Sequence, residues 1–179
     1  AHRTKCAGTF RDASTGILFS SDVSARGMDY PDVTLVLQVG LPSARDQYIH
    51  RLGRTGRGGK DGRCIALLHD FEEFFLRSVR DLPVKRLTRD GLDCCVPLPR
   101  AFPAPDPRTL GQGYQAWLGY YNSQKGINAQ WSKAQLVEAA NYFAKTHGCV
   151  PPPGILRKTV GQMGLKGVPG LNLVAQLAQ

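Results

Sequence analysis

Three short apolar runs constrain this chain most: "ILFSS" at 17–21, "TLVLQV" at 34–39 and "RCIALL" at 63–68. Each is too short for a buried helix and too continuous for a half-solvated strand, a pattern that suits strands covered on both faces of a parallel sheet. Parallel neighbours need a crossover, and helix signals stand in the gaps. Ser43, after Pro42, is placed to N-cap a helix through Gln47, Tyr48 and Ile49 toward Leu52. Asp70 with Glu73 reads as an acidic form of the capping box, and Phe71, Phe74, Phe75, Val79 and Leu82 follow as one core stripe. Strand, helix, strand, helix argues for an α/β layer of βαβ units over residues 1–83.

The character changes after Pro83. Residues 84–108 hold Pro97, Pro99, Pro103, Pro105 and Pro107 with little periodicity, which is the composition of a linker. Apolar periodicity returns in 109–179, where Leu110, Tyr114, Trp117, Leu118 and Tyr121 recur at helical steps. Ser132 with Gln135 forms a capping box for a helix through Leu136, Ala140 and Phe143 that stops near Gly148, and 155–163 is expected to form a short further helix. The expected architecture is therefore a parallel sheet flanked by helices, a proline-rich linker and a small, basic helical extension.

The formal charge of +9, from 23 Lys and Arg against 14 Asp and Glu, favours a polyanionic partner such as nucleic acid; a merely solvated basic surface is the plain alternative. No apolar run approaches the ~18 residues that cross a bilayer, so no membrane partner is expected. Cys6, Cys64, Cys94, Cys95 and Cys149 show neither zinc-ligand spacing nor a C-x-x-C pair, and read as reduced packing residues with no metal site.

Two stretches carry chemistry. In "SSDVSARGMDYP", 20–31, a strand-like run ends in Ser20, Ser21 and Asp22, then Arg26-Gly27 and Asp29. Hydroxyls and backbone N–H groups beyond a strand end suit a phosphate, Gly27 permits close backbone approach, and Asp29 suits a ribose hydroxyl. Ordinary helix-cap chemistry explains the same residues taken alone. In "YIHRLGRTGRGG", 48–59, Arg51, Arg54 and Arg57 recur at steps of three, with His50 beside them. Such closely spaced guanidinium groups repel unless an anion lies among them, and Arg suits bidentate phosphate binding better than Lys. Spacing alone leaves open whether that anion is a nucleotide phosphate or a nucleic-acid backbone.

Together, in this order and with a strand between them, "SSDVSARGMD" and "YIHRLGRTGRGG" resemble motifs V and VI of the DEAD-box ATP-dependent RNA helicases. The resemblance implies a RecA-like fold, the second of two such domains, truncated here. It implies that Arg54 and Arg57 are arginine fingers reaching ATP phosphates across a cleft, and that His50 and Arg51 link the two domains. Arg26, Gly27 and Asp29 would lie at the nucleotide, and Ser20, Ser21 and Asp22 at the RNA backbone. Arg3 resembles the end of a Q-x-x-R element that also meets RNA. "YQAWLGYYNSQK" and "QMGLKGVPG" are similar to the helical extension of organellar, splicing-type members, which implies a mitochondrial or chloroplast location, with the nucleus as the alternative.

The chain holds no G-x-x-x-x-G-K-[ST] loop, since Gly59-Lys60 is followed by Asp61 and Arg54 stands where the first glycine is needed. It holds no Asp-Glu-Ala-Asp sequence. ATP and Mg²⁺ are accordingly expected to be held mainly by a first RecA-like domain, and the chain, which opens at Ala1 without Met, is expected to be a piece of a longer protein that does not hydrolyse ATP alone. The competing reading is a stand-alone RNA-binding module without catalysis, in which Trp117, Tyr120, Tyr121 and Lys125 stack on bases and meet phosphates.

Overall fold

The computed structural model describes residues 2–22, 30, 32–87 and 105–176, apart from the Arg3 side chain. It divides into two compact units, Ala1–Pro83 and Val84–Gln179.

The first unit is mixed α/β, in keeping with the RecA-like expectation. Helix α1 covers His2–Asp12, strand β1 Leu35–Val39, helix α2 Arg45–Leu52 and strand β2 Arg63–Leu67, and a 3₁₀ helix closes the unit at Asp70–Val79. β1 and β2 pair in parallel, from Leu35 opposite Arg63 to Val39 opposite Leu67. Gly40, in the left-handed region at φ 78°, turns the chain out of β1 and donates its N–H to Leu67 O at 3.0 Å. One face of the sheet meets α2: the buried Gln38 donates to Cys64 Sγ at 3.2 Å and to Tyr48 O at 3.5 Å. On the other face Leu35, Leu37, Val39 and Leu67 are exposed.

Three links hold α2 and the turn before it to the 3₁₀ helix and the residues just after it. The carboxylate of Glu72, fully buried, accepts from Leu41 N at 3.0 Å and from His69 N at 2.7 Å. Arg45, at the other helix's start, forks onto Asp81 at 2.5 and 2.7 Å. The rings of Tyr48 and Phe75 meet between them at 5.6 Å.

Several local expectations shift. The cap of the 3₁₀ helix is His69 with Glu72 reaching back, one residue before the Asp70–Glu73 pair, because Glu72 also finds Leu41. Ala44, not Ser43, is the cap residue of α2; the Gln47 side chain instead reaches back to Ser43 N. Residues 17–21 form no strand: Ile17 and Phe19 are 83% and 92% exposed, and an apolar run without a neighbour to share ladder bonds stays unpaired. Cys6 is exposed on α1, so it is not a packing residue.

The second unit is helical: α3 Pro107–Ser123, α4 Lys125–Gln130, α5 Lys133–Thr146 and α6 Arg157–Gln162. Asp106 caps α3 by accepting from Thr109 N at 2.9 Å and Thr109 Oγ1 at 2.6 Å, bonds that hold its carboxyl below the usual aspartate range. The Ser132–Gln135 capping box opens α5. Tyr114, Leu118, Ile127, Leu136, Val137 and Ala140 form the core. Burial pushes the Tyr114 phenol up to about 12, and its hydroxyl donates to Asn141 Oδ1 at 2.8 Å. Asn141 in turn donates to Gly170 O at 2.8 Å, tying the C-terminal segment to α5. Trp117 packs on Phe143 and Tyr121 at 5.8 and 4.4 Å, which makes these rings part of the packing. The helix expected over 155–163 gives up its first two residues to β3, Ile155–Leu156, which pairs in parallel with β4, Leu173–Val174. Residues 88–104, with Pro97, Pro99, Pro103, Cys94 and Cys95, lie outside the described residues.

Two outcomes follow from the links around α2. Glu72→Ala strips the buried Leu41 N–H and the part-buried His69 N–H of their acceptor and is expected to cost about 2–3 kcal/mol in chemical denaturation. The Arg45 guanidinium holds the Asp81 carboxyl below its ordinary value. Because the folded value is the lower one, the pair's contribution is present above about pH 4 and fades as pH falls through the folded value. The stability gap between the wild-type chain and Asp81→Asn should therefore close on acidification from pH 6 to pH 3, read from denaturation midpoints.

Candidate nucleotide and RNA interface

α2 delivers the arginine stretch. Its last turn carries His50 and Arg51, and the chain leaves it through Gly53, whose N–H bonds Ile49 O at 2.8 Å. Arg54 N continues the spiral onto Arg51 O at 3.1 Å and Thr55 N onto Leu52 O at 3.3 Å. The two arginines beyond the helix fold back on its end: Arg54 Nε donates to His50 O at 3.1 Å and Arg57 Nε to Gly53 O at 2.8 Å. The carbonyl end of a helix carries partial negative charge, so cations are favoured there. Anchoring Nε also fixes the plane of each guanidinium.

The loop after α2 is pinned to the amino-terminal ends of both strands. Thr55 Oγ1 donates to Val33 O just before β1, and Lys60 pairs with Asp32. Gly62, just before β2, passes so close to the loop that an added Cβ would lie 3.0 Å from Gly56 Cα and still nearer Thr55 Oγ1 and Gly56 N. Only glycine fits between loop and strand there. Thr55, Lys60 and Gly62 escaped the sequence reading; the one signal for Gly62 was a glycine immediately before an apolar run.

Arg51 meets Asp22 across 29 residues of sequence. Nε donates to Oδ1 at 2.6 Å and Nη2 to Oδ2 at 2.9 Å, with the arginine side chain 19% and the aspartate 42% exposed. The structure thus joins two residues that the sequence assigned to different tasks. Ser20 and Ser21 are exposed just before Asp22, with Ser20 Oγ donating to Ser21 O at 2.8 Å. His50 is exposed on α2. Arg3 lies on α1, its side chain outside the described residues, as are Arg26, Gly27 and Asp29. Among the described residues no group of three His, Cys, Asp or Glu gathers as metal ligands, and no helix is long and apolar enough to cross a membrane. The donors at the arginine turn are guanidinium groups, which fit phosphate oxygens and not a divalent cation.

Residues 1–59, which contain both stretches, match the helicase conserved C-terminal domain. Over 174 residues, 96% of the chain, the sequence is 51% identical to the DEAD-box ATP-dependent RNA helicase 31 of Arabidopsis thaliana, covering 24% of that protein. It is 49% identical over 96% of its length to the DEAD-box ATP-dependent RNA helicase 26 of Oryza sativa subsp. japonica, covering 32% of it. It is 47% identical over 96% of its length to the ATP-dependent RNA helicase MSS116, mitochondrial, of Phaeosphaeria nodorum, again covering 32%. The chain thus spans between about a quarter and a third of the length of these relatives. No solved structure matches it. The α/β fold and the match at residues 1–59 define a helicase C-terminal domain there. Over nearly its whole length the chain is similar to DEAD-box RNA helicases.

Gly62→Ala is expected to push the loop off β2 at a cost of about 1–3 kcal/mol. Amide hydrogen exchange across residues 53–60 should accelerate in the variant. Unchanged stability and exchange would show that loop and strand do not depend on this close approach.

Proposed function

We propose that this chain is the carboxy-terminal part of an ATP-dependent RNA helicase and supplies two arginine fingers to ATP held mainly by a preceding RecA-like domain. The observation that carries the reading is the anchored pair Arg54 and Arg57, each fixed through Nε to a carbonyl at the end of α2. Their guanidinium groups donate hydrogen bonds to phosphate oxygens and stabilise the charge that develops during phosphoryl transfer. Fixing them in advance lowers the reorganisation that the reaction demands. Mg²⁺, bound with the nucleotide through the preceding domain, would neutralise phosphate charge there. His50 faces that domain, and Arg26, Gly27 and Asp29 serve the nucleotide side. Ser20 and Ser21 present hydroxyls to the sugar–phosphate backbone of RNA, with Arg3 adding charge, so binding tolerates sequence and weakens with salt.

The absence of a phosphate loop and of an Asp-Glu-Ala-Asp sequence supports the further reading that the isolated chain does not turn over ATP. The helical extension, with its surplus of lysine and arginine, would add RNA affinity. A relative named as mitochondrial supports an organellar location.

The test replaces the matched segment of the Arabidopsis helicase with this chain. Arg54→Ala and Arg57→Ala should each lower RNA-stimulated ATP turnover by about 10³-fold or more, while RNA affinity measured without nucleotide changes little. Undiminished turnover would remove the finger assignment and favour the non-catalytic RNA-binding module.

A further inference from the structure

The contact between Asp22 and Arg51 ties the segment at residues 20–22 to α2 by a charged fork. Resting on the function proposed above, we propose that Asp22 and Arg51 act as a single clamp within this domain, which positions Arg54 in response to the segment carrying Ser20 and Ser21. Three observations support it. First, both Nε and Nη2 of Arg51 are directed at the two oxygens of one carboxylate, and this side chain is largely buried. A guanidinium so held is poorly placed to reach another domain, and its planar fork loses specificity if the partner is removed. Second, Asp22 is an anion beside hydroxyls proposed to face an RNA phosphate. Two like charges at contact distance repel, so Asp22 serves better as an internal anchor than as a backbone contact. Third, Arg51 O accepts the N–H of Arg54 at 3.1 Å, so a shift of Arg51 is passed through one hydrogen bond to the turn that aims Arg54.

Asp22 and Arg51 are thereby positioning residues. Backbone movement at residues 20–22, such as RNA would impose on Ser20 and Ser21, reaches the phosphate-facing side of the domain through the Asp22–Arg51 fork and the bond from Arg54 N to Arg51 O.

The experiment has two arms. In the chain itself, Arg51→Ala should speed amide exchange at residues 20–22 as well as 51–55, and Asp22→Ala should do the same in both segments. Acceleration confined to the mutated segment overturns the clamp. In the Arabidopsis helicase carrying this chain, Asp22→Ala and Arg51→Ala should each lower RNA-stimulated kcat about 10–100-fold with the KM for ATP changed less than about threefold. The double variant should be no worse than the worse single one, the signature of two residues acting as a unit. Losses that multiply would assign them to separate contacts and overturn the clamp, as would single variants with undiminished kcat. Asp22→Asn, which keeps the side-chain volume, is carried alongside so that a folding defect does not decide the result. Arg57→Ala in the same protein separates the two readings: if it leaves turnover intact the finger assignment fails, while the exchange arm still judges the clamp.

Discussion

The parallel pairing of β1 and β2 governs the rest of the first unit. Two neighbouring strands that run the same way oblige the chain between them to travel back along the sheet. α2 makes that return, so its carbonyl end arrives beside the amino-terminal ends of the strands, next to Asp32, Val33 and Gly62. The arginine turn is pinned there by Thr55 and Lys60 and by the close pass at Gly62. Arg45–Asp81 secures the opposite end of the helix, and Leu41–Glu72 the turn that leads into it. Position and rigidity of the turn are thus consequences of sheet topology.

Charge in this region is settled piecemeal. Arg45 has Asp81, Lys60 has Asp32 and Arg51 has Asp22. Arg54 and Arg57 each donate from Nε to a carbonyl at the helix end. The anion demanded by three arginines in close succession is therefore in part a carboxylate of the same chain. That separates Arg51, turned inward, from the two residues that follow the helix.

What could be read from sequence depended on how local its cause was. The runs at 34–39 and 63–68 pair as parallel strands, as their apolar continuity suggested, but they are covered on one face and not on both: Leu35, Leu37, Val39 and Leu67 stay exposed. α5 was legible because Ser132 and Gln135 satisfy each other within one turn. The run at 17–21 has the same composition but no ladder partner, and composition does not reveal a missing neighbour. The cap of the 3₁₀ helix moved to His69 because Glu72 gains a second donor 31 residues away. The strand at 155–156 was hidden for the same reason, since its partner lies at 173–174. α1, with one buried side chain, Ala7, among its described residues, offered no apolar stripe to read.

The sequence by itself determined the family resemblance, the α/β layer, the helical extension and the two stretches that hold the candidate site, because these rest on composition, spacing and short motifs. Only the tertiary structure decided that Asp22 belongs to Arg51, that Thr55 and Gly62 seat the arginine turn, and that one sheet face stays exposed. Those are distances between residues far apart in the chain, and no local pattern encodes a distance until the strands have paired.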